Sequence, residues 1–162
     1  MSEYWFIRSG FEKRAESFFQ KKLAEAFACD YEIGKQDFVN AGKAAAAIKF
    51  SLKRIGVNAE ILRRVAIIAY EAEINITAHA NGGKIRSNIH PDLIHIVFED
   101  YGPGMEDIEK SMLPGYSTAN DLVREMGFGA GLGLPNIKKN TDVLHIISEK
   151  GKNTFLEVVV FF

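Results

Sequence analysis

A single cysteine, Cys29, is all that this chain of 162 residues carries. One thiol excludes an internal disulfide framework and any zinc site built from several cysteines. A buried, unreactive thiol in a reducing, cytoplasmic setting is the expected reading. Charge of one sign is lacking too. Lys and Arg number 20 against 21 Asp and Glu, for a formal net charge of -1, so no basic field draws the protein onto nucleic acid. Long hydrophobic runs are absent. No stretch approaches the ~20 apolar residues of a membrane span, and Met1 to Arg8 lacks the apolar region of a signal peptide. A soluble, intracellular protein that binds neither nucleic acid nor membrane is expected. Also missing are a G-x-x-x-x-G-K-[ST] phosphate loop, a dinucleotide fingerprint after a strand, and the H-R-D and D-F-G signatures.

What is present is an ordinary globular balance, 47% hydrophobic and 25% charged, in a chain long enough for one sizeable core. Phe11, Ala15, Phe18, Phe19, Leu23, Ala26 and Phe27 recur at helical spacing, which predicts an amphipathic helix over 11–28. Its aromatic stripe suits a core cover and a dimer or partner surface equally. A strand is expected over 29–34. Asn40 is expected to cap a helix that Gly56 stops, and Asn58 a longer one that reaches His79 or Ala80. Strands follow at 84–89 and 93–99, then a polar, mobile segment over 105–126 that opens with a short helix. A helix over 133–140 and strands over 143–149 and 154–162 close the chain. The pattern predicts an α/β (α+β) two-layer sandwich, with helices on one face of a mixed β-sheet. Residues 1–29 read as an N-terminal amphipathic helical extension and 30–162 as the main domain.

Chemistry concentrates in a few places. Glu71, Asn75 and His79 stand at i, i+4 and i+8 of the long helix and share one face. A polar stripe in so apolar a helix is costly unless it has partners. Alone, a solvent-facing stripe is the commoner case. Beside two glycine clusters the balance reverses. Glu can accept a proton from an attacking hydroxyl, and Asn offers a neutral oxygen to Mg²⁺. His79 either touches a phosphate or finishes the helix.

The first cluster is Asp100-Tyr101-Gly102-Pro103-Gly104, an acid at a strand end running into a Gly-x-Gly turn. The second is Gly127-Phe128-Gly129-Ala130-Gly131-Leu132-Gly133-Leu134, which leads into a helix. Glycine lets backbone approach a ligand closely, and amides bared at such turns and at helix starts cradle phosphates. A carboxylate at Asp100 can accept from an exocyclic amine, favouring adenine over guanine. A turn aspartate before Gly102 is the competing reading. Thr154 either reaches the base or is a β-prone threonine, and both readings stay open.

In order along the chain, Glu71-Ala72-Glu73-Ile74-Asn75, the Asp100 to Gly104 run and the Gly127 to Leu134 run resemble the three boxes of the GHKL ATPases. That superfamily includes gyrase-type ATPases, Hsp90, sensor histidine kinases and anti-sigma-factor kinases. Asp37-Phe38-Val39-Asn40-Ala41-Gly42, Arg63-Arg64-Val65-Ala66-Ile67, Tyr70-Glu71-Ala72-Glu73 and Gly115-Tyr116-Ser117-Thr118-Ala119 look like the free-standing anti-sigma regulatory factors of bacteria. The resemblance implies a Bergerat ATP-binding fold over about residues 30–162, with ATP and Mg²⁺ as cofactors. It implies Glu71 as general base, Asn75 as magnesium ligand and Asp100 on the adenine amine. His79, Gly102, Gly104, Ser117, Thr118, Gly127, Gly129, Gly131, Gly133, Leu134 and Thr154 would complete the nucleotide contacts.

Among these relatives, sensor histidine kinases need an upstream domain with a phospho-accepting histidine, and the first histidine here is His79. Gyrase-type and Hsp90-type proteins need a following transducer domain. The expectation is therefore a serine/threonine protein kinase of partner switching, acting on a STAS-type anti-sigma-factor antagonist, with a sigma factor as a second partner class. The alternatives are a nucleotide-responsive binding module that transfers no phosphate, and a simple ATPase.

Overall fold

The computed structural model describes residues 1–21, 27–116 and 133–162. In chain order these form β1 (Ser2–Ile7), α1 (Glu12–Gln20), β2 (Phe27–Ile33), α2 (Lys43–Arg54), α3 (Ala59–His79), β3 (Gly83–His90) and β4 (Leu93–Asp100). There follow α4 (Ile108–Ser111), α5 (Gly133–Asn140), β5 (Val143–Ser148) and β6 (Phe155–Phe161).

The strands make one six-stranded sheet in the order β1-β5-β6-β4-β3-β2. Every pairing is antiparallel, where a mixed sheet was expected. The reason lies in the connections. A single crossover helix returns the chain parallel, but β2 and β3 are joined by two helices, and β3–β4 and β5–β6 are hairpins.

Side chains alternate across a strand, so the sheet has two distinct faces. Ile94, Ile96, Phe98, Leu144, Ile146, Leu156, Val158 and Val160 face the main core. Against them pack Ile48 and Leu52 of α2, Val65, Ile68 and Ala72 of α3, and Ile137 of α5. This is the helical layer that the periodicities predict. The intervening residues Leu93, Val143, Val159 and Phe161 point the other way and meet Ala15 and Phe18 of α1 and Phe11 at its N-cap. Phe11, Ala15 and Phe18 of the stripe thus cover the core on the second face of the sheet, where helices on one face were expected, while Phe19 stays 42% exposed.

The N-terminal segment differs from the helical extension expected over 1–29. It opens with a strand, β1, at the sheet edge. Its helix ends at Gln20, because Lys21 takes extended backbone. Phe27 and Ala28 belong to β2, opposite Ile89 and Asn88. There the sheet ladder overrides the helical spacing of the phenylalanines. Leu23 and Ala26 lie outside the described residues. Cys29 is partly exposed, not buried.

A clamp fixes α5. Asp142, fully buried just past the helix, takes Arg64 Nη2 at 2.7 Å and Arg8 Nε at 3.1 Å. The same arginines donate to the last carbonyls of the helix region: Arg64 Nε to Asn140 O at 2.9 Å, and Arg8 Nη2 to Lys139 O at 2.7 Å. Cations at a helix C-terminus satisfy orphan carbonyls and oppose the dipole. Residues from β1 and α3 together therefore set where α5 lies.

Candidate functional site

The long helix α3 starts where the sequence predicts, with Asn58 Oδ1 accepting from Glu60 N at 2.8 Å. Along it Glu71, Asn75 and His79 are partly exposed, while Ala72, Glu73, Ile74, Ile76, Thr77 and Ala78 between them are buried. Over residues 71–79 the stripe is the open side of a stretch whose other residues are buried.

The first turn of α5 closes over two of its members. Asn136 Nδ2 donates to Glu71 Oε1 at 3.3 Å. Gly133 lies against Asn75 so closely that an added Cβ would come within 3.0 Å of Oδ1 and 3.1 Å of Nδ2. Glycine at that position keeps the amide oxygen of Asn75 clear of a side chain. Leu134, by contrast, packs against the main core.

At the other end of the stripe, α3 ends beside the last residue of β4. Tyr101 N donates to Gly82 O at 3.0 Å and Asn81 Nδ2 to Tyr101 O at 3.3 Å. Asp100 is held firmly there. Its Oδ1 accepts from Gly102 N and Thr154 N, both at 2.9 Å. The bond from Gly102 is the turn pattern of an aspartate, so that competing reading is realised. Both backbone bonds fall on Oδ1, and the second oxygen takes neither. Burial pushes the Asp100 carboxyl above its ordinary range, and the bonds from Thr154 and Gly102 oppose that rise. Thr154 is itself buried and its hydroxyl lies 2.7 Å from Ser148 Oγ, which accepts from Met105 N at 2.8 Å. His79 is pushed below the usual imidazole range by burial, which favours its neutral form.

The Gly-x-Gly turn has a packing reason of its own. Gly102 and Gly104 have φ of +84° and +76°. A Cβ on Gly104 would strike Glu149 O and come 2.8 Å from Lys152 O, in the β5–β6 turn. Only glycine lets the two turns touch. Ser117, Thr118, Gly127, Gly129 and Gly131 lie outside the described residues, as do residues 117–126 of the segment 105–126. Its opening helix, Ile108–Ser111, is present.

Two residues that sequence reasoning missed matter here. Asn40 does not cap α2. Its side chain binds Asp37 and Lys43 instead. The cap position belongs to Gly42, at φ +93° with no side chain to offer. Glu73 supplies the missing acceptor from α3. It is 1% exposed, and it accepts from Gly42 N at 2.9 Å, Ala45 N at 2.8 Å and Ala44 N at 3.4 Å. It does point away from Glu71, as helical geometry requires, but into a structural role. The signal was an alanine-rich helix start with no capping side chain within reach. Asn136 carried no signal of its own.

The donor set fits Mg²⁺. That ion keeps several waters and takes few protein oxygens when phosphates supply the rest; Asn75 Oδ1 is one such neutral oxygen, and the α5 N-terminus beside it favours the phosphates. Among the described residues no group of three or more His, Cys, Asp or Glu side chains forms a metal site. Nor is any described helix long and apolar enough to cross a membrane.

Known proteins resemble the chain at several levels. It is 31% identical over 100 residues to the serine/threonine-protein kinase RsbT of Bacillus subtilis (strain 168), covering 62% of this chain and 64% of that protein. Over 71 residues it is 34% identical to the anti-sigma F factor of Clostridium beijerinckii, covering 44% and 46%. The chain thus spans less than two thirds of either relative. Its fold is similar to a chain in the crystal structure of the SiaB-SiaC complex from Pseudomonas aeruginosa, with a TM-score of 0.56 at 12% identity, covering 91% of this chain and 95% of that one. Residues 36–158 match the histidine kinase-like ATPase domain, and the chain belongs to that family.

Proposed function

We propose that the protein is an ATP-dependent serine/threonine protein kinase of bacterial partner switching, acting on a serine of a STAS-type anti-sigma-factor antagonist. The observation that carries this reading is the grouping of Glu71 and Asn75 on the open face of α3, under the first turn of α5. A pocket that only bound nucleotide would not need a carboxylate there. The names of the two sequence relatives join kinase activity and sigma-factor control to this domain family. The ATP-binding domain is taken as the whole six-stranded sheet with its helices, to which residues 1–29 contribute β1, α1 and the start of β2.

From Glu71 to His79 the stripe runs about 12 Å at ~1.5 Å per residue, with Asp100 just beyond. The base is assigned to the Asp100 end and the phosphates to the Glu71 end, where the α5 N-terminus favours anions. Mg²⁺, held through Asn75, would neutralise charge on the phosphates. The serine Oγ attacks the γ-phosphorus, the bond to the β,γ-bridging oxygen breaks, ADP leaves, and Glu71 takes the hydroxyl proton. Catalysis of this kind rests on positioning and charge stabilisation.

Incubation with ATP, Mg²⁺ and STAS domains tests the reading. Phosphate on a STAS serine is expected. ATP binding without ADP formation would instead mark a nucleotide-responsive binding module, and free phosphate with no labelled protein a simple ATPase.

Nucleotide choice follows from the Asp100 corner. GTP is expected to bind at least about 100-fold more weakly than ATP, because its base sets an acceptor against the carboxylate. Asp100→Asn should weaken ATP by about tenfold or more, the worth of a hydrogen bond to a charged group. Titration calorimetry reads both, and equal affinity for GTP would refute the adenine assignment. Asn75→Ala should abolish the Mg²⁺-dependent part of ATP affinity with helix content unchanged, since alanine is the better helix former. Loss of the helical circular dichroism signal would make Asn75 structural instead.

A further inference from the structure

We propose that Asn136 is a positioning residue for the Glu71 carboxylate. The inference rests on the reading of Glu71 as the base. An unrestrained glutamate rotates about its last torsion, which is broad and roughly two-fold. A donor fixed to one oxygen selects the plane and presents the other oxygen. Asn136 Nδ2 is that donor, 3.3 Å from Oε1. The separation is long for a hydrogen bond, as catalytic contacts often are before substrate binds.

The donor is itself well anchored. The Asn136 carbonyl accepts from Asn140 Nδ2 at 2.8 Å. Its neighbour Ile137 is fully buried in the main core. The far end of the helix is clamped through Arg8, Arg64 and Asp142. With Oε1 held by the Asn136 amide, Oε2 is the atom that takes the hydroxyl proton. As Oγ forms its bond to the γ-phosphorus and the bridging bond breaks, that proton ends on Oε2 and the electron pair leaves with ADP. Asn136 gains and loses nothing. It also sits three residues past Gly133, on the turn that lies against Asn75, so one turn of helix adjoins both polar groups.

A double-mutant cycle tests this. The rate is read as ADP formed from Mg²⁺·ATP, with a STAS acceptor where the wild type labels one and with water as acceptor otherwise. Asn136→Ala should lower kcat by about 10- to 100-fold, the cost of a misplaced catalytic group, with KM for ATP within a few-fold. In a Glu71→Gln background the same change should have no further effect, because a positioning residue has nothing left to position. Asn136→Asp keeps the shape but loses the donor, and should fall at least as far as the alanine variant. It also serves if the alanine variant folds poorly. An equal loss from Asn136→Ala in both backgrounds, or a wild-type rate in Asn136→Ala or Asn136→Asp, overturns the proposal. Full activity in Glu71→Gln would instead sink the base assignment, and no ADP from the wild type would sink both.

Discussion

Glu71→Gln is expected to lower phosphoryl transfer by about 10²–10⁴-fold, the usual worth of a general base, while ATP affinity stays within a few-fold. Glutamine keeps the side-chain length, and its carbonyl oxygen can still accept from Asn136 Nδ2 in the place of Oε1. The change therefore removes the proton acceptor and little else. Glu60, exposed on the first turn of the same helix, is the control, and Glu60→Gln should transfer at close to the wild-type rate. Rapid-quench kinetics with labelled ATP measures the rate and calorimetry the affinity. A Glu71→Gln protein that transfers at the wild-type rate would remove Glu71 from the mechanism.

Substitution two residues away should give a different loss. Glu73→Ala is expected to lower stability by about 2–4 kcal/mol, the scale for deleting a buried charged acceptor and stranding its donors. In a protein of this size that is a fall in Tm of roughly 5–15 °C. The donors are Gly42 N, Ala44 N and Ala45 N at the start of α2, and Gly42 has no side chain to replace the lost oxygen. Glu73 also sets its negative charge at the positive end of that helix. Scanning calorimetry reads the shift. An unchanged Tm would mean that the helix start finds other acceptors. The neighbouring glutamates thus separate by readout: Glu71 by rate at constant stability, Glu73 by stability.

How far the sequence reveals this arrangement differs from element to element. Helix α3 is legible because its start has a capping Asn58 and its apolar positions repeat. Strands β3 and β4 are legible because Ile94, Ile96 and Phe98 alternate with outward residues. The N-terminal strand is not. Trp5 and Ile7 stay partly exposed on the outer face while Tyr4 and Phe6 pack against the main core, so Tyr4 to Ile7 form an unbroken aromatic and apolar run in which no alternation shows. The same ambiguity extends the phenylalanine periodicity of α1 into β2, where pairing with β3 decides the matter. At the site, Glu71, Asn75 and His79 share a face by helical geometry alone. Their relation to Asn136 depends on how α5 crosses α3, and that is set by Arg8 and Arg64 meeting on Asp142 from distant parts of the chain. Local spacing carries no trace of such a contact. Nor does it tell that Gly104 is demanded by the β5–β6 turn, since that turn comes much later in the chain.

One ATP site is proposed to run along α3 from Asp100 to Glu71. A crystal structure with Mg²⁺ and a non-hydrolysable ATP analogue tests it most directly. The adenine amine is expected on Oδ2 of Asp100, Asn75 Oδ1 on the metal, and the γ-phosphate at the Glu71 end beside the first turn of α5. A nucleotide bound with its base away from Asp100, or with its phosphates away from Glu71 and Asn75, would contradict it.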